Sequence, residues 1–227
     1  GSVREGHGDL HLGNLALVDG RVTPFDCIEF NAELRWIDVA SELAFTYVDL
    51  LDHGRADLAA WLVHEWLQRT GDYSAGAVLR LYAVYRALVR AKVAALRGDA
   101  EEAGDYLAMA AGLAQPPPPG LVITHGLSAS GKTLATLRRL RADPAAATLA
   151  LHSDVERKRL HGLWPTAASG SGLATGIYSR EASRRTYDRL RQVAGELLDN
   201  GWSVLVDATF LERAERDRFR ALATDRG

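Results

Sequence analysis

The sequence predicts an α/β protein in two parts: a mostly helical N-terminal part with a β-hairpin, then a three-layer part built on a parallel sheet. Apolar residues recur at three- and four-residue spacing through most of residues 37–114, which is typical of helices with one buried face. A run of four prolines at residues 116–119 then favours an extended linker. Short apolar runs alternate with helical segments beyond it, which is typical of a parallel sheet covered by helices.

The predicted organisation is a first domain at residues 3–114, a proline-rich linker at 115–120 and a second domain at 121–227. Around Asp19-Gly20, a pair favoured in tight turns, residues 15–18 and 22–28 predict the hairpin. The predicted helices of the first domain cover residues 37–51, 58–68, 77–96 and 101–114. In the second domain the predicted strands cover residues 121–124, 148–152 and 203–206, and the predicted helices cover 132–141, 180–198 and 212–223.

Composition restricts the class of protein. Of the 227 residues, 47% are hydrophobic and 25% are charged, which is typical of a globular protein with a real core. A net charge of -2 produces no overall positive electrostatic potential that would attract nucleic acid or an anionic membrane. No apolar run in the sequence is long enough to span a bilayer. The single cysteine, Cys27, excludes an internal disulfide, and we expect a cytoplasmic location. The oligomeric state is not indicated.

A phosphate-binding loop is predicted directly after the first strand of the second domain. The motif consists of a glycine, any four residues, and then glycine, lysine and threonine. It is formed here by Gly126, Leu127, Ser128, Ala129, Ser130, Gly131, Lys132 and Thr133. Backbone amides and the start of the next helix would hold the phosphates of ATP or a related nucleoside triphosphate. Lys132, one of only three lysines, would reach the β- and γ-phosphates, and the Thr133 hydroxyl would bind Mg²⁺.

Two carboxylates follow other strands of the same predicted sheet. Asp207 ends the apolar run 203–206 and is the expected second magnesium ligand. Asp154 follows the strand at 148–152, so it would emerge at the same edge and could deprotonate an acceptor hydroxyl. The alternative for Asp154 is an N-cap of the next helix.

Together the loop, Asp154-x-x-Arg157 and residues 206–210 resemble the P-loop kinases related to gluconate kinase, chloramphenicol phosphotransferase, polynucleotide kinase and zeta toxin. The resemblance covers residues 121–227. It implies that Asp154 is the acceptor base and that Arg157 contacts substrate or phosphate. Because only three strands are visible, we expect an incomplete, C-terminally truncated domain.

The N-terminal part has its own polar cluster in the stretch His7-Gly8-Asp9-Leu10-His11-Leu12-Gly13-Asn14. An aspartate, an asparagine five residues later and Asp26 across the hairpin form the layout of protein-kinase-like phosphotransferases. Zinc ligation by His7 and His11 is the alternative, although no distant third ligand is evident.

The pattern HGDxHxxN, continued through residues 24–30 and 35–44, resembles the C-terminal lobe of the aminoglycoside phosphotransferase family. The resemblance implies that Asp9 is the catalytic base, that Asn14 and Asp26 bind magnesium, and that Asp38 is a structural partner of the loop. The order of the two parts resembles a bacterial group in which such a domain is fused to a P-loop kinase or ATPase.

The function predicted from these motifs is transfer of the γ-phosphoryl group of ATP, with Mg²⁺, to a hydroxyl of an unknown small molecule or nucleotide. Lys132, Asp154 and Arg157 would act in the second domain. One alternative is a nucleotide-binding regulatory ATPase, and another is a nucleic-acid end kinase, which the net charge disfavours.

Three further features of the sequence are interpreted without a catalytic role. Trp36, Trp61 and Trp66 lie among aliphatic residues and are predicted to be core side chains. The arginines of the helix at 180–198 alternate with acidic residues, which favours a solvated face, although one of them could touch a phosphate. Residues 161–175 contain several glycines and Pro165 and predict a mobile loop able to close over a substrate.

Overall fold

A computed structural model of the chain describes residues 2–167 and 176–226. The chain divides into two compact units, the first comprising Gly1–Ala59 and Ser74–Pro116 and the second comprising Ala60–Tyr73 and Pro117–Gly227. The predicted fold class is confirmed: a mostly helical region with small antiparallel sheets precedes a parallel sheet with flanking helices.

The secondary structure follows the predicted order closely. The strands are β1 (Val3–Glu5), β2 (Leu15–Val18), β3 (Arg21–Pro24), β4 (Trp36–Asp38), β5 (Leu121–Ile123), β6 (Thr148–His152) and β7 (Ser203–Asp207). The helices are α1 (Val39–Asp52), α2 (Ala56–Thr70), α3 (Gly76–Leu96), α4 (Ala100–Ala114), α5 (Lys132–Arg141), α6 (Ser153–Leu160), α7 (Arg180–Asp199) and α8 (Arg213–Thr224). Among the residues that the structure describes, no helix is both long and apolar enough to cross a membrane.

The predicted hairpin in the first unit is formed by β2 and β3. Val18 pairs with Arg21, and the two turn residues, Asp19 and Gly20, have φ angles of 49° and 75°. Positive φ at both central positions suits the turn type that matches the twist of the strands. The second strand ends earlier than predicted, at Pro24. Phe25 N still donates to the Asn14 carbonyl at 3.0 Å, but the Asn14 amide donates to the His11 carbonyl and Asp26 has a φ angle of 59°, so the pairing stops there.

An antiparallel pair of short strands, β1 and β4, was not predicted. Trp36–Asp38 forms β4, whereas the apolar pattern had predicted a helix from residue 37. The helix α1 begins only at Val39 because the Asp38 carboxylate accepts a 2.8 Å hydrogen bond from the Ala40 amide and caps the helix. The prediction that Trp36 is a core residue was wrong, since it is 57% exposed.

The strand order of the sheet in the second unit determines which residues meet at one of its edges. Its strands are parallel in the order β5-β7-β6, and His152 pairs with Asp207 at the ends of β6 and β7. Parallel strands have their carboxyl ends at one edge, so the loop after β5 and both of these side chains lie there. Behind them, Phe210 packs edge-on against Phe219 and Tyr187, with ring centroids 4.9 and 5.2 Å apart.

The C-terminal part of α2 belongs to the second unit, and hydrogen bonds connect it to the rest of that unit. Gln68 donates from Nε2 to the Ala150 carbonyl in β6 at 3.1 Å, and the Tyr73 hydroxyl donates to Glu156 in α6 at 2.9 Å. Glu156 is fully buried and also pairs with Arg159 and Arg189. Two arginines and a hydroxyl group compensate the loss of hydration of this carboxylate.

Candidate functional site

The loop at residues 126–133 has the backbone conformation that anion binding requires. Gly126, Ala129 and Gly131 have φ angles of 145°, 61° and 82°. Alternation of left-handed and right-handed residues turns successive amide groups toward one side, which creates a concave site for an anion. Gly131 is the N-cap residue of α5, so the positive end of that helix faces the same space.

Hydrogen bonds to the end of β7 hold the base of this loop. The Thr124 hydroxyl donates to the Ala208 carbonyl at 2.7 Å, and the Gly126 amide donates to the Thr209 carbonyl at 3.1 Å. These contacts extend the pairing of β5 with β7 beyond both strands. The loop is therefore fixed next to the carboxylate that ends β7.

Lys132 folds back over the loop that precedes it. Its Nζ atom donates to the Leu127 carbonyl and lies 3.4 Å from the Ser130 hydroxyl. Both partners are neutral, and a phosphate oxygen is a stronger acceptor for an ammonium group. The side chain thus already lies over the concave side of the loop, where the β- and γ-phosphates of a triphosphate are predicted to bind.

Thr133, Asp207 and His152 form a connected polar cluster. The Thr133 hydroxyl donates to Asp207 Oδ2 at 2.6 Å, and His152 Nδ1 lies 2.9 Å from the same oxygen. Burial alone would raise the pKa of Asp207, but the hydrogen bonds from His152 and Thr133 outweigh it, so the pKa lies below its usual range. The Asp207 carboxylate is therefore ionised at neutral pH.

This cluster has the donor set that magnesium prefers. A hydroxyl oxygen and an ionised carboxylate oxygen are hard ligands, and Mg²⁺ in nucleotide sites usually has one or two such protein ligands besides phosphate and water. Thr133 and Asp207 are already within hydrogen-bond distance of each other. Both predicted ligands therefore fit an ion that bridges the protein and a triphosphate.

A cavity of about 920 Å³ opens beside the loop. Its volume lies in the range of small-molecule and cofactor sites. Six of the predicted site residues share this space, since its described lining includes Ser128, Ala129, Lys132, Thr133, Asp154 and Asp207. Further lining residues that the sequence did not indicate are Trp61, His64, Glu65, Gln68 and Arg69 from α2, together with His152.

Trp61 and His64 differ in how they contribute to the cavity wall. The Trp61 ring is half-buried, with the Arg141 guanidinium 4.2 Å from its centroid, so Trp61 is a wall residue and not the predicted core residue. His64 is only 3% exposed, and its ring lies 5.1 Å from that of His152. Burial, reinforced by the electrostatic effect of the neighbouring His152 and Arg141, lowers the pKa of His64 to about 3.

Asp154 lies in the cavity, within the first turn of α6. His152 is the N-cap residue of that helix, so the alternative interpretation of Asp154 as the cap was wrong. The Asp154 carboxylate is 54% exposed and lies 2.8 Å from the Lys158 ammonium. The Tyr178 hydroxyl donates to its other oxygen at 3.1 Å. Both oxygens thus have a partner, and one of them faces a positive charge.

Arg157, predicted to act beside Asp154, does not share its cavity. Its guanidinium donates to the Ile177 carbonyl at 3.0 Å and to the Ser183 hydroxyl at 3.1 Å. It lines a different cavity of about 510 Å³. The three-residue spacing from Asp154 permitted a shared face of the helix, but the long side chain extends toward α7 instead.

The predicted closing loop contributes to the larger cavity through its first part. Trp164, Pro165 and Thr166 line the cavity, and the Pro165 carbonyl accepts a 3.0 Å hydrogen bond from Lys158. The remainder of that prediction, residues 168–175, lies outside the described residues. The described part is therefore held by Lys158, the residue that also pairs with Asp154.

In the first unit, the stretch from His7 to Asn14 is an ordered loop. Glu42 in α1 accepts hydrogen bonds from the amides of His7 and Gly8 at 2.7 and 3.1 Å. The Asn14 side chain donates to the Asp9 carboxylate at 3.2 Å. An amide group binds a cation through its oxygen, so this bond through Nδ2 is compatible with the predicted magnesium role of Asn14.

The remaining predicted residues of the first unit lie around this loop. Asp26 is exposed and has a φ angle of 59°, two residues beyond the end of β3, at the same end of the hairpin as Asn14. Asp38 caps α1, whereas the carboxylates that hold the loop include those of Glu42 and of Asp49, which accepts from the Leu12 amide at 2.7 Å. In the described part of the chain, the group of three or more acidic, histidine or cysteine side chains close enough to share a metal ion is Asp49, Asp52 and His53. This group does not include His7 or His11, which argues against the zinc alternative.

Comparison with known proteins identifies the C-terminal part of the chain. Residues 121–227 match the model of a protein family described as AAA domain. The match begins with β5 and includes the loop at 126–133. This part of the chain is a P-loop nucleotide-binding domain, a class that usually binds its nucleotide with Mg²⁺. The segment 60–73, which supplies one wall of the cavity, lies outside the match.

Relatives that resemble both parts of the chain are also found. The chain is 34% identical over 231 residues to uncharacterized proteins of Mycobacterium bovis and of two strains of Mycobacterium tuberculosis. The similarity covers 99% of this chain and 46% of each relative, so the chain spans less than half the length of these proteins. No solved structure matches the chain significantly.

Proposed function

We propose that the chain is part of an ATP-dependent phosphotransferase whose second unit transfers the γ-phosphoryl group of ATP to a hydroxyl group of an acceptor. The observation that carries this proposal is the 2.6 Å hydrogen bond between Thr133 and Asp207, in a cavity that also contains Lys132 and the exposed carboxylate of Asp154. A phosphate site and a candidate acceptor base are thereby near each other.

The nucleotide side of the proposal follows from charge and geometry. The amides of residues 126–133 would surround the phosphates, and Lys132 would exchange its neutral partners for phosphate oxygens. Thr133 and Asp207 would hold a magnesium ion, which neutralises charge on the triphosphate. Because these groups are in place before binding, little reorganisation is needed to stabilise the charge that develops during transfer.

The acceptor side depends on Asp154. We propose that this carboxylate orients the acceptor hydroxyl and removes its proton as the oxygen bonds to the γ-phosphorus and the bond to ADP breaks. Its 54% exposure and its position on the cavity wall leave room for an acceptor. Tyr178 and Lys158 would hold the carboxylate in one orientation.

We also propose that residues 3–114, which span most of the first unit together with residues 60–73, are the C-terminal lobe of an aminoglycoside phosphotransferase-like domain, joined by the linker at 115–120 to the P-loop domain at 121–227. Supporting this, Glu42 and Asn14 fix the loop around Asp9, the proposed base of that lobe. Asn14 and Asp26 would be its magnesium ligands.

Calorimetry with Mg·ATP tests the nucleotide site. We expect Lys132→Ala to weaken binding at least about tenfold, since a charge-assisted contact with phosphate is lost. The matched control is Lys92→Ala, which removes an exposed lysine from α3 of the first unit. Equal affinities of the two variants for Mg·ATP would contradict the proposed nucleotide site, on which the rest of the proposed function depends.

Transfer itself requires a separate measurement. Sugars, aminoglycosides, nucleotides and oligonucleotides are screened with ATP labelled at the γ-position, and we expect a labelled acceptor. Asp154→Asn should abolish labelling while Mg·ATP still binds. Salt-sensitive labelling of oligonucleotides alone would identify the acceptor as a nucleic-acid end.

A second candidate function is a nucleotide-binding regulatory ATPase. It is favoured by the observation that both oxygens of Asp154 already have partners, Lys158 and Tyr178, which competes with a role as base. Release of free phosphate without any labelled acceptor, unchanged in Asp154→Asn, would support this function instead of transfer.

A further inference from the structure

The cavity of about 510 Å³ beside α7 has a chemistry unlike that of the nucleotide cavity. Three arginines line it: Arg157 from α6, and Arg180 and Arg184 from the first two turns of α7. Positions 180, 183, 184 and 187 fall on one face of that helix, so Ser183 and Tyr187 contribute hydroxyl groups to the same wall. With Tyr178 and Thr209, the cavity therefore presents three guanidinium groups and four hydroxyl groups.

The charges in this cavity are not balanced by its own carboxylates. Glu212 and Glu215 also line it, but Glu215 forms an ion pair at 3.2 Å with Arg218, a residue that does not line the cavity. Within residues 2–167 and 176–226, neither Arg180 nor Arg184 forms an ion pair. Like charges brought together without a partner favour an anion between them.

Arg157 is held in a fixed orientation at the inner side of this group. Its guanidinium is half-buried, lies 5.1 Å from the centroid of the Tyr178 ring and donates to Ile177 and Ser183. A planar guanidinium held in this way needs little ordering to bind a tetrahedral or planar oxyanion through two parallel hydrogen bonds.

We propose that this cavity binds the anionic group, a phosphate or a carboxylate, of the molecule that receives the phosphoryl group. The assignment to an acceptor rests on the proposed function, because two contacts connect the cavity to the nucleotide site. Thr209 lines both cavities and lies 3.2 Å from the Tyr187 hydroxyl. Tyr178 lines the arginine cavity and donates to Asp154 in the other. An acceptor anchored by the arginines would extend its hydroxyl group toward Asp154.

Heteronuclear NMR of the whole chain tests the anion site with inorganic phosphate and with acetate as probes. The protein is first saturated with Mg²⁺ and a non-hydrolysable ATP analogue, so that phosphate does not occupy the loop at 126–133. We expect saturable shifts of the amides of residues 178–187. A larger affinity for phosphate than for acetate assigns a phosphate group to the acceptor, and the reverse order assigns a carboxylate.

The variants separate a built site from general attraction to a basic helix. Arg180→Gln with Arg184→Gln should weaken probe binding at least about tenfold, since two charge-assisted contacts are lost. The matched control is Arg185→Gln with Arg191→Gln, which removes the same charge from exposed positions of α7 outside the cavity and should leave the affinity unchanged. Equal weakening by both pairs, or shifts confined to residues 126–133, would overturn the anion site.

The same spectra distinguish this inference from the proposed function. Failure of the ATP analogue to shift residues 126–133 would contradict nucleotide binding while leaving the anion site intact. Normal shifts there, with no response of residues 178–187 to either probe, would contradict the anion site alone.

Discussion

His152 Nδ1 lies 2.9 Å from Asp207 Oδ2, the same carboxylate oxygen that accepts the Thr133 hydroxyl. Since the carboxylate is ionised, the histidine nitrogen is the donor. Groups behind a metal ligand that fix its orientation contribute to metal affinity without touching the metal. His152 is therefore a positioning residue for the proposed magnesium site, and the sequence motif alone did not indicate it.

Removing this donor should weaken the affinity of the nucleotide site for magnesium. We expect His152→Leu to raise the Mg²⁺ concentration for half-maximal binding of an ATP analogue about tenfold or more, the usual effect of such a loss. His152→Asn, whose amide nitrogen can replace Nδ1, should recover most of the affinity. A magnesium titration followed by calorimetry measures both, and identical curves for wild type and His152→Leu would refute the role.

Tryptophan fluorescence should report occupancy of the nucleotide cavity. Trp61 and Trp164 line it, whereas Trp36 is an exposed residue of β4. We expect Mg·ATP to change the emission of the protein, because a ligand alters the polarity around both lining rings. The change should be lost in the double variant Trp61→Phe with Trp164→Phe and kept in Trp36→Phe. Loss in Trp36→Phe would indicate that the signal has another origin.

The buried His64 should make the protein less stable in acid. Its pKa is lowered from 6.5 to about 3, so between these values the unfolded state binds a proton that the folded state does not. Stability is therefore unaffected by this group above pH 6.5 and falls as the pH decreases below it, by about 2 kcal/mol at pH 5. Urea unfolding at pH 7 and pH 5 should show this loss in the wild type and a smaller one in His64→Phe. Equal losses would show that His64 is not the source.

Gly8 should tolerate no side chain in the loop that contains Asp9. It has a φ angle of 85°, and an added Cβ would lie 2.9 Å from the Leu34 carbonyl oxygen and the Ile28 side chain. The control is Gly20, which has a φ angle of 75° but open space around it. We expect Gly20→Ala to cost about 1–2 kcal/mol from backbone strain, and Gly8→Ala about 1–3 kcal/mol more from overpacking. Urea unfolding measures both, and equal costs would exclude the packing contribution.

Local patterns predicted the parts of the site that are continuous in sequence. The loop at 126–133 and the bounds of α5 follow from glycine placement and helical periodicity, which act over a few residues. Asp207 was found because a buried strand ends at it. The strand pair β1 and β4 was missed, since three-residue strands carry too little alternation to be recognised.

Long-range contacts account for what the sequence did not predict. Gln68 and Ala150 are 82 positions apart, and no periodicity in α2 indicates that its C-terminal part forms a wall of the nucleotide cavity. The resemblance to P-loop kinases assigned Arg157 to substrate or phosphate contact, but its partners in the structure, Ile177 and Ser183, lie 20 and 26 positions away. A long side chain is directed by whichever acceptor the fold brings within reach.

The contacts of residues 60–73 with the P-loop domain restrict which fragments of the chain can be produced as stable proteins. A recombinant fragment that starts at the proline run would expose the Ala150 carbonyl and deprive the buried Glu156 of its tyrosine partner. Each group left without its hydrogen bond costs about 1–3 kcal/mol, a large share of the stability of a domain of this size. A stable fragment of the nucleotide-binding half therefore has to include the C-terminal part of α2 and Tyr73 as well.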